Sequence, residues 1–176
     1  WGPPDGMYDP KREDNFIFPL PDHTRLAFEY AYLKGRNGLG TPILFAAGNG
    51  NEPVKYDGYA SSKYVISVSA LNFEEYKASY ADYGKPILCS FLSGDVKRDV
   101  NDEPMFKTGL KVADRLGEAG YSKSDHFEYF SGTSASCPGA AGIVSLMYSI
   151  KPDLTIQQIK NLIIDSCKPF IVHDNE

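Results

Sequence analysis

A helix with no polar side governs the architecture open to this chain. Residues 129–150 read YFSGTSASCPGAAGIVSLMYSI: a small, hydroxyl-rich turn over residues 131–136 runs into Ala140, Ala141, Ile143, Val144, Leu146, Met147 and Ile150. Those positions leave no polar stripe, so the helix is expected to be buried all round. Pro138 is expected in its first turn, where the missing N–H has no partner anyway. Gly132 permits a backbone conformation that a larger residue would resist, and it clears space for a bound group. Ser134 then stands at the mouth of the helix, with N–H groups and the positive dipole end around its hydroxyl. That is a place suited to stabilising an oxyanion. The plain alternative is that a Ser or Thr before a helix is an N-cap and nothing more.

Upstream, helix and strand signals alternate. At residues 23–34, HTRLAFEYAYLK, apolar side chains recur at helical spacing (Leu26, Ala27, Tyr30, Ala31, Leu33), with Asp22 placed to cap the start and Gly35 or Gly38 to stop the helix. Pro42-Ile43-Leu44-Phe45-Ala46-Ala47 follows as a continuous apolar run of strand length. A second strand spans residues 64–71, rich in β-branched Val65, Ile66 and Val68, and a short third spans residues 87–91. A helix followed by a wholly apolar strand is the pattern of a parallel sheet covered on both faces, which places the chain in the α/β class. A last helix is announced by Thr155-Ile156-Gln157-Gln158, a capping box, with Ile156, Ile159, Leu162 and Ile163 on its buried face. Residues 1–22, where Pro3, Pro4, Pro10, Pro19 and Pro21 fall among charges, read as loop.

At 176 residues and 42% hydrophobic content the chain can bury a real core as one domain. A formal net charge of −5 disfavours nucleic acid and anionic membrane surfaces as partners. No apolar run is long enough to span a bilayer. Cys89, Cys137 and Cys167 cannot all pair within the chain and lack metal-ligand spacing, which leaves the compartment open.

Gly48-Asn49-Gly50 ends the first strand and, taken alone, is a common turn. It also lies at the carboxyl end of a parallel strand, where open α/β sheets carry their sites. Together with SGTSASCPGAAG at residues 131–142 before a long apolar helix, it resembles the subtilisin-like serine peptidases, the subtilases. The resemblance covers residues 1–93 and 129–167 and implies a doubly wound, mostly parallel sheet with helices on both faces. It implies Ser134 as the nucleophile and the Asn49 amide as an oxyanion donor. Trp1-Gly2-Pro3 followed by Asp5-Gly6, and Tyr56-Asp57-Gly58-Tyr59, resemble the kexin and furin branch in particular. There Trp1, Gly2 and Pro3 would pair with the substrate backbone, while Asp5 and Asp57 would face a basic residue before the scissile bond. A partly desolvated Arg does need a carboxylate of matching geometry, although Asp-Gly alone is more often a plain turn. The same branch implies a structural calcium beneath this pocket, with Asp5 and Asp82 as ligands and only Glu52 as a further candidate on a shortened loop. It also implies a secreted or secretory-pathway protein.

Serine catalysis needs a base and a group that orients it. The family's Asp motif and its His-Gly-Thr motif are both missing: His23 precedes Thr-Arg, His126 precedes Phe-Glu, and His173 lies near the end. Residues 1–176 are therefore expected to be the C-terminal part of a subtilase catalytic domain, partnered by the N-terminal segment of that domain, which carries Asp and His. Residues 94–128 depart from the family as a charged insertion. Within it, residues 107–120, with Leu110, Val112, Ala113 and Leu116, are expected to form a short amphipathic surface helix. Two functions stand: a serine endopeptidase acting on peptide or protein substrates, and a catalytically incomplete subtilase-like fold used for protein binding.

Overall fold

Three parallel strands carry the site. The computed structural model describes residues 17–98 and 104–169. Helix α1 (Asp22–Lys34) leads to β1 (Leu44–Ala46), followed by β2 (Ile66–Leu71) and β3 (Ile87–Leu92), which lie side by side in that order. Leu44 stands opposite Ile66 and Val68 opposite Cys89. Ile66, Val68 and Ala70 have almost no exposure, as strands covered on both faces require.

Two hairpins separate this sheet from the remaining helices. Strand β4 (Val96–Arg98) pairs antiparallel with β5 (Pro104–Lys107), and β6 (Leu110–Ala113) with β7 (His126–Phe130). Helix α2 (Thr133–Ile150) then crosses β1, β2 and β3, and α3 (Ile156–Ser166) packs beside β3. The main core joins Ile66 and Val68 to Ala140 and Val144 of α2 and to Ile159 and Ile163 of α3. Burying each of the larger of these side chains contributes roughly 1.5–3 kcal/mol. Phe45 alternates to the face opposite Leu44, where it stacks on Tyr59 at 5.9 Å and meets Phe28 of α1 at 6.4 Å between ring centroids. The sheet thus has helices on both faces, the α/β architecture the sequence predicts.

The capping box of α3 forms as expected: Gln158 N–H donates to Thr155 Oγ1 at 3.2 Å and Thr155 N–H to Gln158 Oε1 at 2.8 Å. Leu162, however, is 43% exposed and stands outside the buried face of Ile156, Ile159 and Ile163. Asp22 does not cap α1. Pro21 occupies that position without a side-chain bond, and Asp22 sits inside the first turn with its carboxylate 3.3 Å from Arg25. Helix α2 begins at Thr133, earlier than expected, so Pro138 lies within it and withholds the N–H that would bond to the Ser134 carbonyl.

The expected burial of α2 on all sides holds on one side only. Ala140 and Val144 face the sheet, whereas Ile143, Leu146 and Ile150 are 44%, 61% and 85% exposed. An apolar composition permits burial but needs a covering surface, and the sheet covers one face. The amphipathic helix expected at residues 107–120 is replaced by β6 and a short 3-10 turn at Gly117–Ala119. Leu110 and Val112 alternate with exposed neighbours at the period of a strand. Gly109 lets the hairpin close, because a Cβ there would stand 2.2 Å from the Tyr129 Cα.

Candidate active site

The end of β1 and the start of α2 meet through one threonine. Beyond β1 the chain turns at Gly48, whose φ of +118° suits glycine, and presents Asn49 at the surface. Thr133, fully buried, donates to the Asn49 Oδ1 from both its N–H at 2.8 Å and its hydroxyl at 3.0 Å. Its hydroxyl oxygen also accepts from Gly48 N–H at 3.2 Å. A backbone N–H can only donate, so the amide atom facing Thr133 must be the oxygen, and the Asn49 NH2 group is turned the other way. Between the two elements lies Gly132, the N-cap of α2 at φ +102°, where a Cβ would sit 3.5 Å from Asn49 Oδ1 and 3.9 Å from its Nδ2.

Ser134 follows directly, exposed in the first turn of α2. Among the described residues no hydrogen bond is made by its hydroxyl or by its backbone N–H. An N–H at this point of a helix has no intrahelical acceptor and adds to the positive end of the dipole. A hydroxyl beside such a donor, with a fixed amide next to it, has the arrangement that nucleophilic attack and oxyanion stabilisation use.

The loop carrying Asn49 is held from below. Asp82, 1% exposed, accepts from Gly50 N–H at 2.9 Å and Glu52 N–H at 3.0 Å through Oδ1, and its own N–H donates to the Gly48 carbonyl at 3.1 Å. The Lys77 ammonium donates to Asn51 Oδ1 at 2.7 Å and to the Ala81 carbonyl at 2.9 Å. Burial pulls its pKa below the ordinary lysine value, while the charges of Asp82 and Asp95 pull it back up. Asp57, at 9% exposure, accepts the Tyr59 N–H at 2.7 Å within its own turn. Trp1, Gly2, Pro3 and Asp5 lie outside the described residues.

The structure brings Asn49 and Ser134 together and brings neither described histidine to them. His23 is exposed on α1, and His126 is exposed on β7, where it pairs with its neighbour Asp125. His173 lies outside the described residues. Sequence reasoning passed over Thr133, which it read only as part of a turn, although its place between Gly132 and Ser134 was the available signal.

Calcium can be tested against these side chains. Among the described residues no group of three acidic, histidine or cysteine side chains could hold a metal ion. One Asp82 oxygen is committed to two N–H groups, and a lysine ammonium already bonds the carbonyl beside it. The described residues alone do not fit a calcium ion.

Comparison with known proteins adds an independent line. The sequence model of a family described as "Subtilase family" matches residues 11–175. The chain is 43% identical over 180 residues to a calcium-dependent protease of Nostoc sp., covering 95% of this chain and 26% of that protein. It is 29% identical to a dibasic-processing endoprotease of Yarrowia lipolytica, covering 94% of this chain and 16% of the other. Among solved structures, a serine protease of Aeromonas sobria superposes with a TM-score of 0.74 at 20% identity, over 93% of this chain and 33% of that one. The chain therefore spans about a quarter or less of these curated relatives' length.

Proposed function

The chain belongs to the subtilase family, and from that premise we propose that it forms the C-terminal part of the catalytic domain of a serine endopeptidase. In this reading Ser134 attacks the peptide carbonyl, and the Asn49 NH2 group and the Ser134 N–H receive the resulting oxyanion. The observation that carries it is the Thr133 bridge, which turns the Asn49 amide oxygen inward and its donor end away, next to an exposed serine at a helix start. The base and its orienting carboxylate belong to a further segment of the same domain. Two features support that segment: the exposed apolar face of α2, and the edge of β1 away from β2, which has no strand partner among the described residues.

Substrates are peptides or proteins, cut after basic residues. The dibasic-processing relative supports this preference, with Asp57 and Asp5 as the acidic groups of the pocket. The relative named as calcium-dependent supports a bound calcium ion here, held with help from Asp5 or other residues outside those described. The kexin and furin resemblance carries the further proposal of a secreted or secretory-pathway protein. No described helix is long and apolar enough to cross a membrane.

A fluorophosphonate probe tests the reading on the complete protein. Covalent labelling that disappears in Ser134→Ala is the expected result. A folded protein that binds peptides but takes no label would instead be the non-catalytic binding fold. A peptide library cleaved after Leu or Phe in preference to Arg and Lys would remove the basic specificity while leaving the peptidase.

A further inference from the structure

We propose that Tyr80 is a positioning residue for both halves of the oxyanion site, its main chain holding the Asn49 loop and its hydroxyl holding the turn before Ser134. The inference rests on the roles given above to Asn49 and Ser134. Those two residues come from separate elements, so something must set the spacing between their donors. The Thr133 bridge is one hydrogen-bonded attachment between them at this point, added to the packing of α2 across the sheet.

Tyr80 supplies the second attachment. Its carbonyl accepts the Asn51 N–H at 2.8 Å, and its hydroxyl oxygen accepts the Gly132 N–H at 2.9 Å. The hydroxyl proton goes to the Gly94 carbonyl at 2.7 Å. Ser93, with its hydroxyl 2.9 Å from that of Tyr80, donates to the Gly132 carbonyl at 3.0 Å. Both backbone groups of Gly132 are thereby captured, at a φ of +102° that sets the direction of the following Thr133 and Ser134 N–H groups.

The anchor is itself rigid. The Tyr80 ring packs on Ala70, Ala78 and Ala81, each at 0% exposure. The adjacent Ser79 donates to the buried Asp95 carboxylate from its N–H at 3.0 Å and its hydroxyl at 2.7 Å. The Asn72 amide donates to the other Asp95 oxygen at 3.1 Å. One residue, held on two sides, thus ties the loop after β1 through its carbonyl and the turn before α2 through its hydroxyl.

The test is Tyr80→Phe in the catalytically complete protein, which keeps the ring among the alanines and removes only the oxygen. With activity normalised to fluorophosphonate-titrated sites, kcat should fall on the order of tenfold while KM stays within about twofold, because displaced donors are felt in the transition state and not in ground-state binding. A peptide aldehyde, whose serine adduct places an oxyanion on the same donors, should weaken by the same factor, and the matching unreactive peptide amide should not. Ser93→Ala should shift both quantities in the same direction by less, and it supplies a second reading should Tyr80→Phe fold poorly. An unchanged kcat per titrated site with a lowered Tm would overturn the proposal and leave Tyr80 a residue of stability alone. Turnover that survives Ser134→Ala would overturn the underlying nucleophile assignment and this proposal with it, so the two failures are told apart.

Discussion

The two sides of Ser134 are built to different degrees. On the donor side, Thr133 bonds the Asn49 amide, Asp82 holds the Asn49 loop through the Gly50 and Glu52 N–H groups, and the Tyr80 hydroxyl holds Gly132. On the base side, no described side chain bonds the Ser134 hydroxyl, and α2 shows solvent the apolar Ile143, Leu146 and Ile150. The difference teaches that, in the proposed reading, the oxyanion half of the site is a local property of β1, the 77–83 segment and α2. The base half is then left to whatever covers the open side of α2.

The largest effect should come from the donor side itself. Asn49→Ala in the complete protein should lower kcat by roughly 10²–10³ with little change in KM, the loss expected for one oxyanion donor. Wild-type turnover in steady-state peptide cleavage would break the comparison at its root, since the better-built side would then contribute nothing.

A second substitution addresses the open side. Val144, 3% exposed against the sheet, should cost about 2 kcal/mol when cut to Ala, whether or not the rest of the domain is present. Leu146, 61% exposed on the outer face, should cost less than about 0.5 kcal/mol in the 176-residue chain but about 2 kcal/mol in the complete protein. Denaturant unfolding of both variants in both contexts reads this directly. Equal and small costs for Leu146→Ala in the two contexts would mean that the outer face is never covered.

The same contrast explains what was legible in the sequence. Asn49 and Ser134 stood out as candidates because each sits where a local pattern changes, at the end of an apolar strand or the start of an apolar helix. The parallel sheet followed for the same reason, since the apolar runs around Leu44 and Ile66 leave no polar face. Tyr80 could not be found, because its hydroxyl finds Gly132 across 52 positions of chain and nothing in KASYADY marks that partner. Around Leu110 the apolar positions Leu110, Val112, Ala113 and Leu116 fit either a helix or a strand. The close approach of Gly109 to Tyr129 decided for the strand. The outer face of α2 was misjudged because apolarity reports what a surface can bury and not what stands beside it.

Asp82 offers a smaller and sharper test. If its carboxylate serves the Asn49 loop, Asp82→Asn keeps an oxygen for Gly50 and Glu52 N–H but loses the charge that strengthens those bonds, a cost of about 1 kcal/mol. Thermal unfolding should show the same loss with and without added calcium. A loss that appears only in calcium would make Asp82 a metal ligand first and a loop anchor second.

The smallest effect concerns the proton on Tyr80. Burial raises its pKa above the ordinary tyrosine value of 10.0; its hydrogen bonds with Ser93 and Gly132 lower it in part, and the nearby Asp95 charge adds to the rise. As pH climbs, the unfolded chain therefore releases this proton before the folded one does. The stability it contributes is complete below the unfolded value and is lost as pH passes through the folded value. Comparing wild type with Tyr80→Phe between about pH 8 and about pH 11 isolates it, because the rest of the chain is common to both proteins. The wild-type advantage in unfolding free energy should shrink toward the alkaline end. An advantage that stays level throughout would mean that the hydroxyl proton carries no weight at Gly94.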